Sequence, residues 1–415
     1  MTRLQPVRGT HDILPGEARR FRHITETFRR VAEGYGLAEI ATPIFEFTEV
    51  FARSLGDTTD VVTKEMYTFT DRSGDSITLR PEYTAGIARA FISNGLTQDA
   101  PCKFFAWGPM FRHERPQKGR LRQFHQLDVE VLGVAEPQAD IEVLALAHDL
   151  LTELGLADKV TLELNSLGDG PSRAAYRAAL LDYLHAHRDG LSEDSLNRMD
   201  RNPLRVLDSK DEGDRRIVAN APILTDYLSS EAVDFFAAVR EGLAALGIPF
   251  TVNPRLVRGL DYYTHTAFEF TTDALGAQGT VLAGGRYDGL IEQLGGPATP
   301  GIGWASGIER LAMLIDEPPA APRPVAIVPL GAAAEARGLK IAHDLRRAGF
   351  IVDMGYRGNM GRRLKRADKI GARAAVIIGD DELARGIATV RDLDSGSQSE
   401  ASLDGLAGAL AAFRP

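Results

Sequence analysis

Between residues 102 and 133, apolar and polar positions alternate with a period of two. Leu127, Val129 and Val131 fall on one side, and Gln126, Asp128 and Glu130 fall on the other. The intervening "RPQKGR" supplies the proline and glycine of a turn, so the stretch predicts an antiparallel hairpin with a basic tip and an acceptor row on one face. A second hairpin is predicted over 257–283, with a helix-rich stretch over about 171–247 between the two. "DEPPAAPRP" at 316–324 holds too much proline for a helix or central strand and predicts a boundary. Beyond it the pattern gives a strand in "RPVAIVPLG", a helix from Ala333 to Ala348, a strand in "FIVDMGY", a basic helix from Met360 to Ile370, strands in "AAVIIG" and "IATVRDL", and a final helix over 402–413. The whole predicts an α+β domain over 1–322, its sheet mostly antiparallel with a helical insertion, followed by a small α/β domain over 323–415.

Charge sharpens the picture. The chain carries a formal net charge of -9 over 415 residues, which argues against indiscriminate polyanion binding. Yet "GPMFRHERPQKGRLRQFHQLDVEV" at 108–131 concentrates four arginines, one lysine and two histidines, so anion binding is expected there locally. A lone cysteine, Cys102, excludes a disulfide framework. Paired cysteine ligands and H-E-x-x-H are both missing, so no metal site is expected. Neither a P-loop nor a dinucleotide fingerprint occurs, the glycines of "GIGWASG" being wrongly spaced for the latter. No apolar leader or membrane-length window is visible, so a cytoplasmic protein with no membrane contact is expected.

Four polar constellations interrupt the apolar strands. "LRPEYTAG" at 79–86 puts Arg80 and Glu82 two apart, hence on one face of an extended segment. The hairpin is the second, "LVRGLDYYTHTAFEF" at 256–270 the third, and "AGGRYDG" through "PGIGWASGIERLAMLI" the fourth. Glycines permit close backbone approach to a flat ligand, and the planar arginine fork suits phosphate. Taken singly, Arg310 also fits a helix-surface ion pair, Tyr262 and Tyr263 fit half-buried strand aromatics, and Arg258 fits a turn cap.

Taken together, "RPE", "FRHERPQKGRLRQFHQ", "LVRGLDYY", "AGGRYDGL" and "GIGWASGIERL" resemble, in this order, the histidyl-tRNA synthetases, which are class II aminoacyl-tRNA synthetases. "RGTHDILPGE", "TDVVTKEMYTF", "NPLRVLDSK" and "RADKIGARAAVIIG" extend the resemblance over nearly the whole chain. It implies a class II catalytic domain followed by an anticodon-binding domain, and a ligase that makes histidyl-adenylate from histidine and ATP, accompanied by Mg2+, before transferring histidine to the terminal adenosine of histidine tRNA. By its motifs Arg112, Arg258 and Arg310 are the catalytic residues. Arg112 would hold the α-phosphate with Arg258 opposite, Arg120 and Arg310 the far phosphates, with Glu114 among the ATP contacts. Phe124 would stack on adenine, and Gly303 and Gly307 would close its other side.

The resemblance places Glu130 and Tyr263 at the imidazole ring, Glu82, Thr84 and Gln126 at the ammonium, Tyr287 in the wall, and Tyr262 and Arg258 among the histidine contacts. A pocket that pairs both ring nitrogens rejects apolar isosteres, because its own polar groups would be left unpaired. Arg115, Gln117 and Lys118 look like the acceptor-stem reader, and the cations Arg362, Arg363, Lys365, Arg366 and Lys369 lie on a helix of the anticodon domain. Segment 40–69 resembles the pairing motif of a homodimer. Departures are Asp128, where a glycine is common, and Thr264 and His265; His265 shares the face of Tyr263 and reads as a rim residue. The rival is a catalytically inactive, histidine-sensing regulatory subunit of ATP phosphoribosyltransferase, in which the phosphate-binding arginines would have no use.

Overall fold

The alternation at 102–133 becomes two ten-residue strands, Cys102–Phe111 and Gln123–Leu132, paired antiparallel from Cys102 opposite Leu132 to Phe111 opposite Gln123. The computed structural model describes residues 3–55, 59, 61–117, 119–200, 203–207, 209, 211–257 and 262–414. These divide into two compact units, 1–318 and 319–415.

In the first unit the hairpin joins an eight-stranded sheet. Its order is Ala38–Glu39, Cys102–Phe111, Gln123–Leu132, Gly301–Gly307, Thr280–Arg286, Thr264–Thr271, Thr161–Ser166 and Thr251–Val252. The six inner strands run antiparallel and the short edge strands pair parallel, giving the mostly antiparallel α+β sheet that the alternation predicts. On one face Leu127, Val129 and Val131 pack with Ile24 and Phe28 of the helix Pro15–Gly34 and with Leu144 and Ala147 of the helix Pro137–Glu153. Both helices begin on proline, whose fixed φ suits a first helical turn. Trp304 completes this layer and donates its indole N–H to the Val143 carbonyl at 3.1 Å.

The opposite face is covered too. Ala106 and Met110 of the first hairpin strand meet Tyr83, Ile87 and Phe91 around the helix Thr84–Ser93. The acceptor row therefore lies inside the molecule, with Gln126, Asp128 and Glu130 exposing only 9%, 1% and 1% of their surface. Arg80 and Glu82 do not share the face of an extended segment. The strand Ser76–Leu79 ends first and the chain turns into the helix, because the Glu82 carboxylate accepts the Ala85 N–H of its first turn at 3.0 Å. Arg80 is drawn the other way, donating to the carbonyls of Pro109 at 2.9 Å and Thr42 at 2.8 Å.

Between the strands Thr161–Ser166 and Thr251–Val252 run the helices Gly170–Ala186, Glu193–Met199, Leu204–Leu207, Glu212–Val218 and Ser230–Ala245. Asp169 caps the first of them by accepting the Ser172 N–H. A three-stranded antiparallel sheet, Phe45–Phe47, Ser76–Leu79 and Tyr67–Thr70, projects Phe45, Phe47 and Phe69 outward.

The second unit is a five-stranded sheet in the order Val352–Met354, Val325–Pro329, Ala374–Ile378, Ile387–Asp392 and Gln398–Ser402, with the helices Ala332–Arg347 and Met360–Lys369. Two features correct the sequence reading. The final helix predicted over 402–413 is instead an edge strand ending at Ser402, a four-residue helix Leu406–Ala409 and a turn Ala411–Phe413. A turn at 392–396 makes this hairpin: Asp392 accepts the N–H groups of Asp394 and Ser395, and Gly396 takes φ +75. In addition, Arg363 is no part of an exposed cationic face. Its side chain is buried, donating to the Pro329 and Gly358 carbonyls and pairing with Glu335 at 2.7 Å. Among the described residues no helix is long and apolar enough to cross a membrane.

Candidate active site

The site lies on the buried polar face of the large sheet. Cross-strand register aligns Gly307 with Gln126, Ala305 with Asp128 and Gly303 with Glu130, and the next strand adds Ala283 and Gly285. The result is a floor of glycine and alanine on which nothing stands taller than a methyl group, bordered by the acceptor row. A cavity of about 290 Å³ opens over it.

The glycines are needed. A Cβ built at Gly303 lands on the Glu130 carboxylate, one at Gly301 on the Tyr287 ring, and one at Gly285 within 2.8 Å of the Tyr263 ring. Gly303 therefore makes room for Glu130, at the end of the floor away from the arginines. Glu82, Thr84, Gln126, Tyr262, Tyr263 and Tyr287 line the cavity, and the Tyr287 hydroxyl donates to Glu130 immediately behind it.

At the other end stand Arg112, Glu114, Arg120, Phe124, Gly307 and Arg310. Arg112 donates its Nε to the Pro81 carbonyl at 2.9 Å, and its guanidinium lies 5.3 Å from the centre of the Phe124 ring. Glu114 lies 3.2 Å from Arg120 and 4.0 Å from Arg112, spacing the two cations. Arg310, on the helix Ile308–Leu314, donates to the Thr280 carbonyl at 2.5 Å. Burial, and then the neighbouring Arg120 and Arg112 charges, hold its pKa below the ordinary arginine value, the signature of a cation cluster suited to an anion.

Electrostatics at the first end run in the opposite sense. Burial pushes the Glu82 carboxyl up, and it pushes Glu130 up to about 8. Asp128 is raised well above the usual carboxylate range by burial and then by its neighbour Glu130. Gln126 Oε1, both Asp128 oxygens and Glu130 Oε1 are buried with no hydrogen-bond partner among the described residues. Such atoms cost free energy unless a donor arrives.

Other candidates fall elsewhere. Arg258 and Lys118 lie outside the described residues. Arg115 and Gln117 are exposed at the hairpin tip, where Gln117 bridges to Arg120 through the backbone. His265, at φ +43, turns its ring to Phe235 at a centroid distance of 4.7 Å and does not line the cavity; a register shift beside Arg286 rotates it off the face of Tyr263. Thr264 lies near the Asp288 N–H, also off the cavity.

Three contributors escaped the sequence reading. Arg286 is wholly buried, paired with Asp140 and with Asp288 at 3.1 Å, and it fixes the chain just before Tyr287. Glu309 lines the cavity and accepts the His125 N–H at 2.9 Å, tying the hairpin to the helix that carries Arg310. Glu269 lines it from the far strand, held by the Thr280 hydroxyl at 2.9 Å. The placing of Arg286 directly before Tyr287 within "AGGRYDG" was the one available signal.

Comparison with known proteins supplies the relatives of this chain. Residues 9–311 match the family described as histidyl-tRNA synthetase, and residues 324–412 match an anticodon binding domain. The histidine–tRNA ligase of Rhodospirillum rubrum is 64% identical over 414 residues, spanning 100% of both chains. That of Gluconacetobacter diazotrophicus is 59% identical over 404 residues, 97% of each. The apo histidyl-tRNA synthetase of S. aureus superposes with a TM-score of 0.84 at 35% identity, covering 98% of this chain and 99% of that one. A Bacillus halodurans chain described as an ATP phosphoribosyltransferase regulatory subunit/histidyl-tRNA synthetase shares the fold alone, with a TM-score of 0.68 at 19% identity over 91% of this chain and 99% of that one.

Proposed function

The chain belongs to the histidyl-tRNA synthetase family and joins histidine to its tRNA with ATP, and from that premise we propose how its residues divide the work. Activation requires the histidine carboxylate to attack the α-phosphorus in line while pyrophosphate leaves. Position and positive charge suffice for this, and no covalent nucleophile is needed. Arg112, held by Pro81 and Glu114, takes the α-phosphate, with Arg258 opposite; Arg120 and Arg310 take the far phosphates. Adenine stacks on Phe124 over the flat floor at Gly307. Glu114 and Glu269, the lining carboxylates that act on Arg310, would hold the Mg2+ that accompanies the triphosphate and would offset its charge.

At the acceptor end Glu82, Thr84 and Gln126 receive the ammonium, Glu130 and Tyr263 the ring, and Tyr262 and Tyr287 form the wall. In the second step the 3′-terminal adenosine hydroxyl attacks the adenylate carbonyl and AMP departs. Arg115 and Gln117 at the hairpin tip, together with Lys118, meet the acceptor end of the tRNA. The unit over 319–415 reads the anticodon through Arg362, Lys365 and Lys369, with Arg366 partly committed to Asp353.

One observation carries this reading: a single cavity is lined by Arg112, Arg120 and Arg310 and by the unpartnered acceptor of Gln126, and the unpartnered oxygens of Asp128 and Glu130 are buried farther along the same strand face. Histidine-dependent exchange of pyrophosphate into ATP tests it, and a folded enzyme without such exchange would overturn it. The regulatory-subunit alternative is not favoured, since identity to ligases runs the full length and a sensor has no use for Arg112, Arg120 and Arg310.

The outward aromatics Phe45, Phe47 and Phe69, which share one sheet face by register, support a homodimer paired through segment 40–69. Light scattering that returns a monomer mass at micromolar concentration would exclude it. A cytoplasmic location fits the same substrates.

A further inference from the structure

Asp128 has no role in the division of labour above, yet it stands in the middle of the acceptor row. It is 1% exposed, and neither of its oxygens has a hydrogen-bond partner among the described residues. Its lateral neighbours across the sheet are Ala106 and Ala305, which carry no polar atom beyond the backbone. The next residue on the same face is Glu130, whose Oε1 is also buried and unpartnered. Side chains two apart on one strand face stand next to each other, so two carboxyl groups share a dry compartment.

The groups that face them are few. Glu130 accepts from the Tyr287 hydroxyl, and Glu82 adds a third carboxyl, spent in part on the Ala85 N–H. Tyr262 lies in the same wall. Arg80 and Tyr83 act on Asp128 electrostatically without lining the cavity; Arg80 is committed to Pro109 and Thr42, and Tyr83 donates to the Trp107 carbonyl at 2.7 Å. Arg112 acts on Glu82 from the phosphate end. No described cation is bonded to either member of the pair. Two adjacent carboxylates deprived of water cannot both ionise, so the free pair holds one proton at neutral pH.

We propose that Asp128 is a specificity-determining residue: with Glu130 it forms a pair that keeps one proton and passes it to the ring of the bound amino acid, so the pocket reads an imidazolium. The step balances without another reactant. The carboxyl O–H breaks, the pair becomes two carboxylates, and the lone pair of the neutral ring nitrogen takes the proton, leaving two N–H donors opposite the two acceptors. Free histidine, with a ring pKa of about 6.5, is mostly neutral at the pH of the cell and basic enough to accept. A ring too weakly basic to take the proton makes only neutral or singly ionic hydrogen bonds to the pair, forgoes the charge-assisted bonds that an imidazolium makes to two carboxylates, and is bound more weakly for that reason. This inference rests on the histidine site as assigned above.

The test compares kcat/KM for histidine and for triazolylalanine, an isosteric amino acid with a far less basic ring, in the full-length enzyme and in Asp128→Asn and Asp128→Gly. The preference for histidine is expected to fall by about tenfold or more in both variants, chiefly through KM for the amino acid, while KM for ATP holds. The alkaline limb of the histidine kcat/KM profile should also move to lower pH, because Glu130 loses its repelling neighbour. Melting temperatures at or above that of the parent show that the variants fold. An unchanged preference and an unchanged alkaline limb in two folded variants overturn the proposal. If Glu130→Gln also left histidine selection intact, the assignment of the site itself would fail, whereas a damaging Glu130→Gln beside silent Asp128 variants would refute only the proton-passing role.

Discussion

The strand Gln123–Leu132 has two faces that are equally dry and chemically opposite. Leu127 and Val129 expose 0% of their surface and Val131 1%, against 9%, 1% and 1% for Gln126, Asp128 and Glu130. The first face is finished when the chain folds, because the helices Pro15–Gly34 and Pro137–Glu153 pack into it. The second is left with four acceptor oxygens that nothing described in the chain satisfies. One face thus stabilises the fold, and the other is complete only with a ligand that brings donors. Burial alone does not separate a core from a site; satisfaction does.

The largest effect should come from exchanging the chemistry of the two faces. Val129→Asp puts a carboxylate among Phe28, Phe105 and Trp304 with nothing to pair it, and is expected to cost more than about 4 kcal/mol and to leave the enzyme insoluble, although Asp128 is accommodated one residue away. Soluble, cooperatively melting Val129→Asp protein would break the comparison.

Glu130→Gln should lower kcat/KM for histidine by roughly thirtyfold or more, equivalent to about 2 kcal/mol, with KM for ATP and melting temperature nearly unchanged. A fall in stability matching the fall in activity would make Glu130 a structural residue. Val129→Ala is the converse: a loss of about 1–2 kcal/mol by denaturant titration, with specific activity per folded molecule preserved.

The most gradual effect is a pH dependence. Glu130 is raised to about 8 in the folded chain, whereas an unfolded glutamate titrates near about 4.3. The folded state binds the extra proton, so stability is fully present below about 4.3 and declines as pH rises toward 8, by at most about 1.4 kcal/mol per unit. Calorimetry between pH 6 and 8 should show the melting point drifting down by up to about 4 °C, with a flatter line for Glu130→Gln. Equal slopes would mean that the pair is already ionised.

Much of this was legible from the sequence. A period of two gave the hairpin and its two faces. Taken singly, Arg310 also fits a helix-surface ion pair; it is the resemblance to the histidyl-tRNA synthetases that singles out Arg112, Arg120, Arg310, Glu82 and Tyr287, and all five line the cavity. Legibility failed wherever a residue's role depends on a partner remote in sequence. Arg286 and Asp140 are 146 positions apart, and nothing local marks them as a buried pair. Arg363 repeats the lesson in reverse, since a helix full of cations does not disclose which one the carbonyl of Pro329 will capture. The strand Gln398–Ser402 was missed because an exposed edge needs no apolar alternation.

The floor of glycine and alanine has a consequence for drug resistance. An inhibitor lying flat on Gly303, Ala305 and Gly307 touches a surface made almost wholly of main chain, which point mutation cannot remove. Escape by enlargement at Gly303 is closed as well, since the smallest added side chain would displace Glu130, the residue proposed to read the imidazole ring. Mutational escape is left to the rim, and a compound that draws its affinity from the floor rather than from Arg120 or Gln117 should meet resistance slowly.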